Sequence, residues 1–122
     1  MALNESLRLD NVTLEIDKGC SFGFNIEIKN EDGTAFTPAN DSKVIFSIKR
    51  SNASTAAITQ ELELIENAEY SLELTATQTS ALTVGRYKYD IVYTEDNDTV
   101  YKVVPTSTLI VNDTVTNGRV WT

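Results

Sequence analysis

The side chains that most often carry out catalysis are scarce in this chain. It contains no histidine, which removes the usual general base and the commonest zinc ligand. A nucleophilic serine would then need a lysine or carboxylate as its base, and no Ser-x-x-Lys sequence occurs. A carboxylate pair could support glycoside hydrolysis, but the acidic residues fall in turns or at alternating, outward positions of strands, such as Glu15, Glu27, Glu63 and Glu73. We therefore expect no enzymatic activity, no cofactor and no small-molecule substrate.

Metal and thiol chemistry are also poorly supported. Two acidic segments, 31–33 and 95–98, lack the Asp-x-Asp-x-Asp-Gly spacing of a calcium loop, and turn formation accounts for them. Cys20 is the single cysteine, so no internal disulfide can form. We interpret Cys20 as a small buried hydrophobe rather than as a reactive thiol. No metal site is expected.

Length and charge limit the remaining classes of function. A chain of 122 residues corresponds to one domain. The formal net charge of −8 repels phosphate backbones, so nucleic-acid binding is disfavoured. The first residues have neither the basic start nor the apolar run of a signal peptide, and no apolar stretch approaches the ~20 residues that cross a bilayer. We expect no membrane partner.

Strict alternation makes residues 82–93 the clearest structural signal in the chain. Aromatic and β-branched side chains fall on one side and charged side chains on the other, which predicts a half-buried antiparallel strand. The inward set is Tyr87, Tyr89, Ile91 and Tyr93, and the outward set is Arg86, Lys88 and Asp90. The spacing Leu82-x-x-Gly85-x-Tyr87 suits a tyrosine corner, in which the hydroxyl ties the strand start to the preceding turn. The alternative is that Tyr87 is simply a core aromatic.

The same period of two recurs along the chain and predicts an all-β fold. Strands are expected at 12–17, 21–29, 43–49, 58–65, 69–74, 99–104 and 106–112, with Pro105 interrupting the last two. A single helical turn near 75–82, capped by Thr75 or Thr77, is the exception. Seven to eight short strands predict an immunoglobulin-like antiparallel β-sandwich over residues 11–112. Its inner lining is expected to include Phe22, Phe24, Phe46, Leu62, Leu64, Leu72 and Tyr89.

The two ends of the chain fall outside this pattern. Residues 1–10 form an N-terminal arm and residues 113–122 a C-terminal tail. Apolar side chains in such segments can pack on their own domain or anchor a partner, and aromatic residues are favoured at interfaces. We predict a partner interface formed by Leu3, Leu7, Leu9, Val115, Val120 and Trp121.

Three local patterns occur together in one known family. They are Val12-Thr13-Leu14-Glu15-Ile16-Asp17-Lys18-Gly19 leading into Phe22-Gly23-Phe24-Asn25-Ile26, then Asp32-Gly33-Thr34, then Gly85-Arg86-Tyr87-Lys88-Tyr89-Asp90-Ile91. Over residues 11–112 the chain resembles the immunoglobulin-like module at the N-terminus of bacteriophage baseplate upper proteins and related tail or fibre proteins. The resemblance implies a virion structural component without a catalytic site, whose modules oligomerise around a tail or baseplate axis.

The chain differs from the larger members of that family because it stops after the module, without a coiled-coil stalk or a receptor-binding head. This favours a small adaptor, ring or decoration subunit of the tail, baseplate or capsid surface. Its expected partners are other virion proteins and copies of itself, and its expected location is the virion after synthesis in the host bacterial cytoplasm.

Two other classes of function stay open. A carbohydrate-binding module would use an exposed aromatic platform, whereas most aromatics here alternate inward, with Tyr101 as the exception. A bacterial surface or adhesion domain would use the same sandwich as a repeat or spacer.

Overall fold

The computed structural model describes residues 13–30, 32–95 and 99–114, which form eight strands and one short helix. Alternating apolar side chains make each strand one-faced, so the strands assemble into two sheets that bury those faces against each other. The elements are β1 (Leu14–Asp17), β2 (Phe22–Glu27), β3 (Lys43–Lys49), β4 (Ile58–Glu61), β5 (Glu63–Glu66), β6 (Glu69–Leu74), α1 (Ala76–Ser80), β7 (Gly85–Thr94) and β8 (Val100–Asn112).

The two sheets have the order β1-β8-β7-β3-β4 and β2-β6-β5. The predicted immunoglobulin-like β-sandwich is confirmed, but it is not antiparallel throughout because β1 pairs with β8 in parallel. A parallel pair needs a long connection between its strands, and here the rest of the sandwich supplies it. The pairing ends where the Lys18 N–H donates to the Asn112 carbonyl at 2.9 Å, after which the chain turns into the other sheet as β2.

Aromatic and aliphatic side chains fill the space between the sheets. Phe46, Leu72 and Tyr89 are fully buried, as predicted, and Phe22 and Phe24 pack partly buried against them. The ring centroids of Phe24 on β2 and Phe46 on β3 lie 5.9 Å apart in an edge-to-face arrangement. Because these rings come from different sheets, their contact joins the two layers.

The predicted hairpin arm 58–65 is divided between the two sheets. Leu62 is 3% exposed, and its N–H donates to the Val44 carbonyl at 2.8 Å, so β4 ends on the five-stranded sheet. The chain then crosses to pair with β6 as β5. The prediction that Leu64 points into the core is wrong, because its side chain is 50% exposed at an open sheet edge beside a bulge.

Two local predictions around the helix and Pro105 have different outcomes. The helical turn is confirmed: Thr75 caps α1 by accepting the Gln78 N–H at 3.1 Å, and the Gln78 side chain accepts the Thr75 N–H at 2.8 Å. Pro105 does not interrupt the last strand, since β8 runs through it. The pairing of β8 with β7 shifts register there, which accommodates a residue without an N–H donor.

Tyr87 is both a core aromatic and the centre of a tyrosine corner. Its side chain is 4% exposed, and its Oη accepts the Thr83 N–H at 2.9 Å. The Arg50 guanidinium lies 4.6 Å from the centre of the same ring. The hydroxyl therefore fixes the turn that leads from α1 into β7.

Removing that hydroxyl tests its contribution to stability. Tyr87→Phe keeps the buried ring but leaves the Thr83 N–H without its acceptor, so we expect the free energy of unfolding to fall by about 1 kcal/mol. Urea denaturation monitored by circular dichroism measures the change. The control Thr83→Ala keeps the N–H and alters an exposed side chain, so its effect should stay within about 0.5 kcal/mol. Equal losses in both variants would contradict this role for the hydroxyl.

Candidate interaction surfaces

The predicted partner-interface residues lie outside the described part of the chain. They are Leu3, Leu7, Leu9, Val115, Val120 and Trp121, which fall within residues 1–12 and 115–122. The structure describes Cys20 as a free, partly buried cysteine whose Sγ lies 4.0 Å from the Thr114 hydroxyl. The sandwich itself supplies the candidate surfaces.

Phenolic hydroxyls in the interior act as structural ties. The Tyr93 Oη accepts the Ala39 N–H at 3.0 Å and donates to the Glu95 carboxylate at 2.9 Å. Burial raises the pKa of Tyr93, and the charge of Glu95 raises it further. Burial likewise raises the pKa of Tyr70 and Tyr89. These groups are neutral at physiological pH, and Tyr93 holds the segment at Ala39 to the sandwich.

Acidic side chains show no metal-binding arrangement where the structure describes them. Among residues 13–30, 32–95 and 99–114, no three or more His, Cys, Asp or Glu side chains are grouped as a metal site would require. The Asp32 carboxylate accepts the Thr34 hydroxyl at 2.6 Å and the Thr34 N–H at 3.0 Å, and these bonds lower the pKa of Asp32. With Gly33 at φ +88°, this carboxylate shapes its own turn. Over the same residues, no helix has the length and apolar character that a membrane crossing needs.

Glutamates dominate the outer face of the three-stranded sheet. Glu69 on β6 lies directly opposite Glu27 on β2 and opposite Glu66 on β5, so three carboxylates form one row across the sheet. Glu63 and Glu73 lie on the same face as Ser71. Glu63 on β5 is directly opposite Ser71, and Glu73 is two residues after Ser71 on β6. We call these five residues the acidic patch: Glu27, Glu63, Glu66, Glu69 and Glu73.

Among residues 13–30, 32–95 and 99–114, only weak contacts offset the charge of this patch. The Asn25 amide reaches Glu69 at 3.4 Å, and Lys29 lies 3.9 Å from Glu27, with both side chains of that ion pair substantially exposed. Exposed ion pairs of this kind contribute little. The acidic patch therefore keeps most of its negative charge.

Cationic side chains gather on the opposite outer face, that of the five-stranded sheet. Lys49 on β3 lies directly opposite Lys88 on β7, and all five members of the group are exposed. One carboxylate, Asp90, lies among them and is 3.4 Å from Lys102. We call these five residues on β3, β7 and β8 the basic patch: Lys43, Lys49, Arg86, Lys88 and Lys102.

Positive charge in this acidic protein is concentrated on one face of the sandwich. Five of the eight Lys and Arg residues that the structure describes belong to the basic patch. Two of the other three cationic residues have partners within the domain. Lys18 donates to the Ser80 and Leu82 carbonyls, and the Arg50 guanidinium lies over the Tyr87 ring. The edge strands β1 and β4 carry acidic residues, so the positive charge is concentrated on the central strands.

An open depression of about 490 Å³ lies within the basic patch. Lys49, Lys88 and Lys102 line it together with Asp90 and small polar residues. No histidine or thiol lines it. Its chemistry is that of a surface that attracts anions.

Sequence reasoning identified individual outward residues but not the patches. Glu27, Glu63 and Glu73 were expected to face outward, as were Arg86 and Lys88, and all five are exposed. Which of them share a face depends on strand register and on which sheet each strand joins. Alternation along one strand contains neither piece of information.

The row of opposed glutamates generates a stability prediction. Glu69→Gln removes the charge that faces both Glu27 and Glu66, so the free energy of unfolding should rise by a few tenths of a kcal/mol at low salt. Thermal and urea unfolding at low and high salt measure it, and salt should reduce the gain. Glu73→Gln is the matched control, because Glu73 lies opposite Gly23. Equal gains in both variants would contradict a cost from direct opposition.

The buried tyrosines generate a prediction about alkaline pH. A raised pKa means that the folded chain keeps the Tyr93 proton after the unfolded chain has lost it, so the stabilisation is complete below pH 10.0 and declines as the pH rises above it. Replacing Tyr93 with Phe removes this group. The stability difference between the wild type and Tyr93→Phe should therefore shrink as the pH rises above that value, as measured by urea unfolding. The difference between the wild type and Thr83→Ala should stay constant, and a constant Tyr93→Phe difference would overturn the prediction.

Comparison with known proteins gives structural likenesses of low identity, two of which follow. No protein-family model and no curated protein matches the chain. Domains 4 and 5 of the S-layer protein SbsC are similar with a TM-score of 0.41 and 16% identity, over 82% of this chain and 47% of that one. The extracellular domain of the hybrid two-component system BT3049 from B. thetaiotaomicron is similar with a TM-score of 0.40 and 14% identity, over 82% of this chain and 11% of that one. The chain thus spans less than half the length of either structure.

Proposed function

We propose that this chain is a non-enzymatic structural protein of a bacteriophage virion, a small immunoglobulin-like adaptor or decoration subunit of the tail, baseplate or capsid surface. The observation that carries the proposal is that the buried hydroxyls and the surface charges of the sandwich have separate roles. The Tyr87 and Tyr93 hydroxyls tie loops to the core, whereas the acidic patch and the basic patch lie on the two outer faces. Such a molecule acts through surface contacts with neighbours.

The resemblance to phage baseplate modules supports the choice of assembly. Its most specific segment, residues 85–91, forms the beginning of β7 in the five-stranded sheet. This segment supplies buried Tyr87 and Tyr89 to the core and exposed Arg86 and Lys88 to the basic patch. The same short stretch therefore builds the fold and one of its charged surfaces.

The two alternatives make different demands on the surface. A carbohydrate-binding module needs exposed aromatic rings, but Phe22, Phe24 and Tyr101 pack partly buried against the core, and Tyr101 stacks on Tyr93 with centroids 6.3 Å apart. A bacterial surface or adhesion domain needs only a stable sandwich with docking faces. It would differ from a virion subunit in its location.

Fractionation of the source culture tests the proposal. Phage particles purified by density gradient are expected to contain the chain in constant ratio to the tail proteins across the particle peak, as measured by quantitative mass spectrometry. An abundant host cytosolic protein serves as the control for carry-over. The ratio should hold after a salt wash that removes this control.

Two outcomes would overturn the proposal. Recovery of the chain in the cell envelope, with none in the particles, would establish the surface-domain alternative instead. Recovery in the soluble fraction alone would exclude both locations.

A further inference from the structure

We propose that the basic patch of one copy docks on the acidic patch of a second copy, so that the chain assembles head to tail through its two outer sheet faces. This inference rests on the proposed function as an assembly subunit, and it names both the surfaces and the partner. Because the two patches lie on opposite sides of one sandwich, each copy has one face for each neighbour. An interface between two different surfaces generates rings when it closes and stacks when it does not.

Like charges lie directly opposite each other on both outer faces. Glu69 faces Glu27 and Glu66 on one outer face, and Lys49 faces Lys88 on the other. Directly opposed like charges destabilise a sheet, so both rows work against folding of the isolated chain. An oppositely charged neighbour would relieve both costs in one contact.

Both patches extend across several strands of their sheet. Each involves three neighbouring strands: β2, β6 and β5 for the acidic patch, and β3, β7 and β8 for the basic patch. With strands about 4.8 Å apart and about 3.3 Å per residue along each strand, three strands of six residues make a face of roughly 14 by 20 Å. Along the strands the acidic patch runs from Glu69 to Glu73, whereas the basic patch runs from Arg86 to Thr94, the partner of Lys43, so the acidic patch covers part of the basic patch.

Apolar side chains next to both patches can form the part of the interface from which water is excluded. Leu64 and Ile65 beside the acidic patch are 50% and 51% exposed. Ile45 and Val92 lie directly opposite each other within the basic face and are partly exposed. Interfaces generally combine apolar contacts with a charged rim.

The net charge of −8 does not prevent this contact. At physiological salt the Debye length is about 8 Å, whereas the two sheets alone are about 10 Å apart. A charge on the far face of a neighbour is therefore screened, and the energy depends on the groups that face each other. Complementary charges on the two facing patches therefore determine whether two copies attract each other at contact.

The contact between two copies is weak by itself. A face of roughly 14 by 20 Å is well below the ~800 Å² per partner of a standard interface. Repeated copies held on a common axis would strengthen it through multivalency. In solution the association should therefore be visible at high concentration and sensitive to salt.

A complementation experiment with the full chain tests the pairing. The first variant, Lys49→Glu/Lys88→Glu, leaves three cations and two new carboxylates in the basic patch. The second, Glu63→Lys/Glu73→Lys, leaves three carboxylates and two new lysines in the acidic patch. Neither should self-associate, whereas their mixture should, because the first keeps the native acidic patch and the second the native basic patch. Sedimentation velocity over a concentration series measures weight-average mass against the monomer mass of 13.5 kDa. Circular dichroism establishes that each variant is folded.

Net charge cannot produce the expected result. Starting from −8, two Lys-to-Glu reversals give −12 and two Glu-to-Lys reversals give −4, so the two variants repel each other overall. The wild type and the mixture should associate at about 0.1 M salt and return to monomers at about 1 M, where the Debye length falls to about 3 Å. Asp113→Lys changes an exposed residue outside both patches and should associate like the wild type.

Several outcomes would overturn the inference. A mixture that stays monomeric although both variants are folded excludes the head-to-tail contact. Self-association of either variant alone would show that another surface is used. Displacement of the wild-type association by inorganic phosphate but not by chloride at equal ionic strength would assign the basic patch to small anions instead.

The two proposals can fail separately. If particles contain the chain but the mixture stays monomeric, the assembly role stands and the pairing of patches falls. If the mixture associates but particles lack the chain, the pairing stands and the virion assignment falls.

Discussion

The fold depends on a row of tyrosines in β7 whose rings are buried while their hydroxyls still require partners. A buried phenol is stable only when its hydroxyl is hydrogen-bonded. Tyr87 accepts from Thr83, and Tyr93 bonds to Ala39 and Glu95. Each ring thus fills the core and fixes a loop that the core alone would leave unspecified. This coupling explains how a chain without disulfides holds several irregular connections in place.

The alternation that buries these rings also determines the surface. Inward and outward side chains alternate along β7. Arg86 and Lys88 therefore face solvent for the same geometric reason that Tyr87 and Tyr89 do not. Pairing with β3 then places Lys88 opposite Lys49. The position of the charges follows from the fold, but their sign does not. A sequence under selection for monomer stability alone would have little reason to oppose like charges on both faces.

Local periodicity was sufficient to predict the strands, the helical turn and most of the core, because each depends on neighbours in sequence. Interactions between distant segments explain the differences. The parallel pairing of β1 with β8 joins residues about a hundred positions apart and leaves no local signal. Leu64 continues the alternation of Leu62, but the change of sheet between them alters what each side chain faces. The patches have the same origin, since Glu27, Glu66 and Glu69 become neighbours only through strand register.

The edges of the sandwich explain why the faces are the more suitable docking surfaces. Three of its four edge strands, β1, β4 and β5, have four residues each, which limits strand addition by a neighbour. Their charged residues, including Glu15, Glu61 and Glu63, further disfavour edge-to-edge pairing. On both sides the chain itself crosses from one sheet to the other, at Leu62 and at the turn after β1. Because the edges are short, charged and crossed by the chain, the broad outer faces offer the larger continuous area to a neighbour. Each of those faces carries one charged patch.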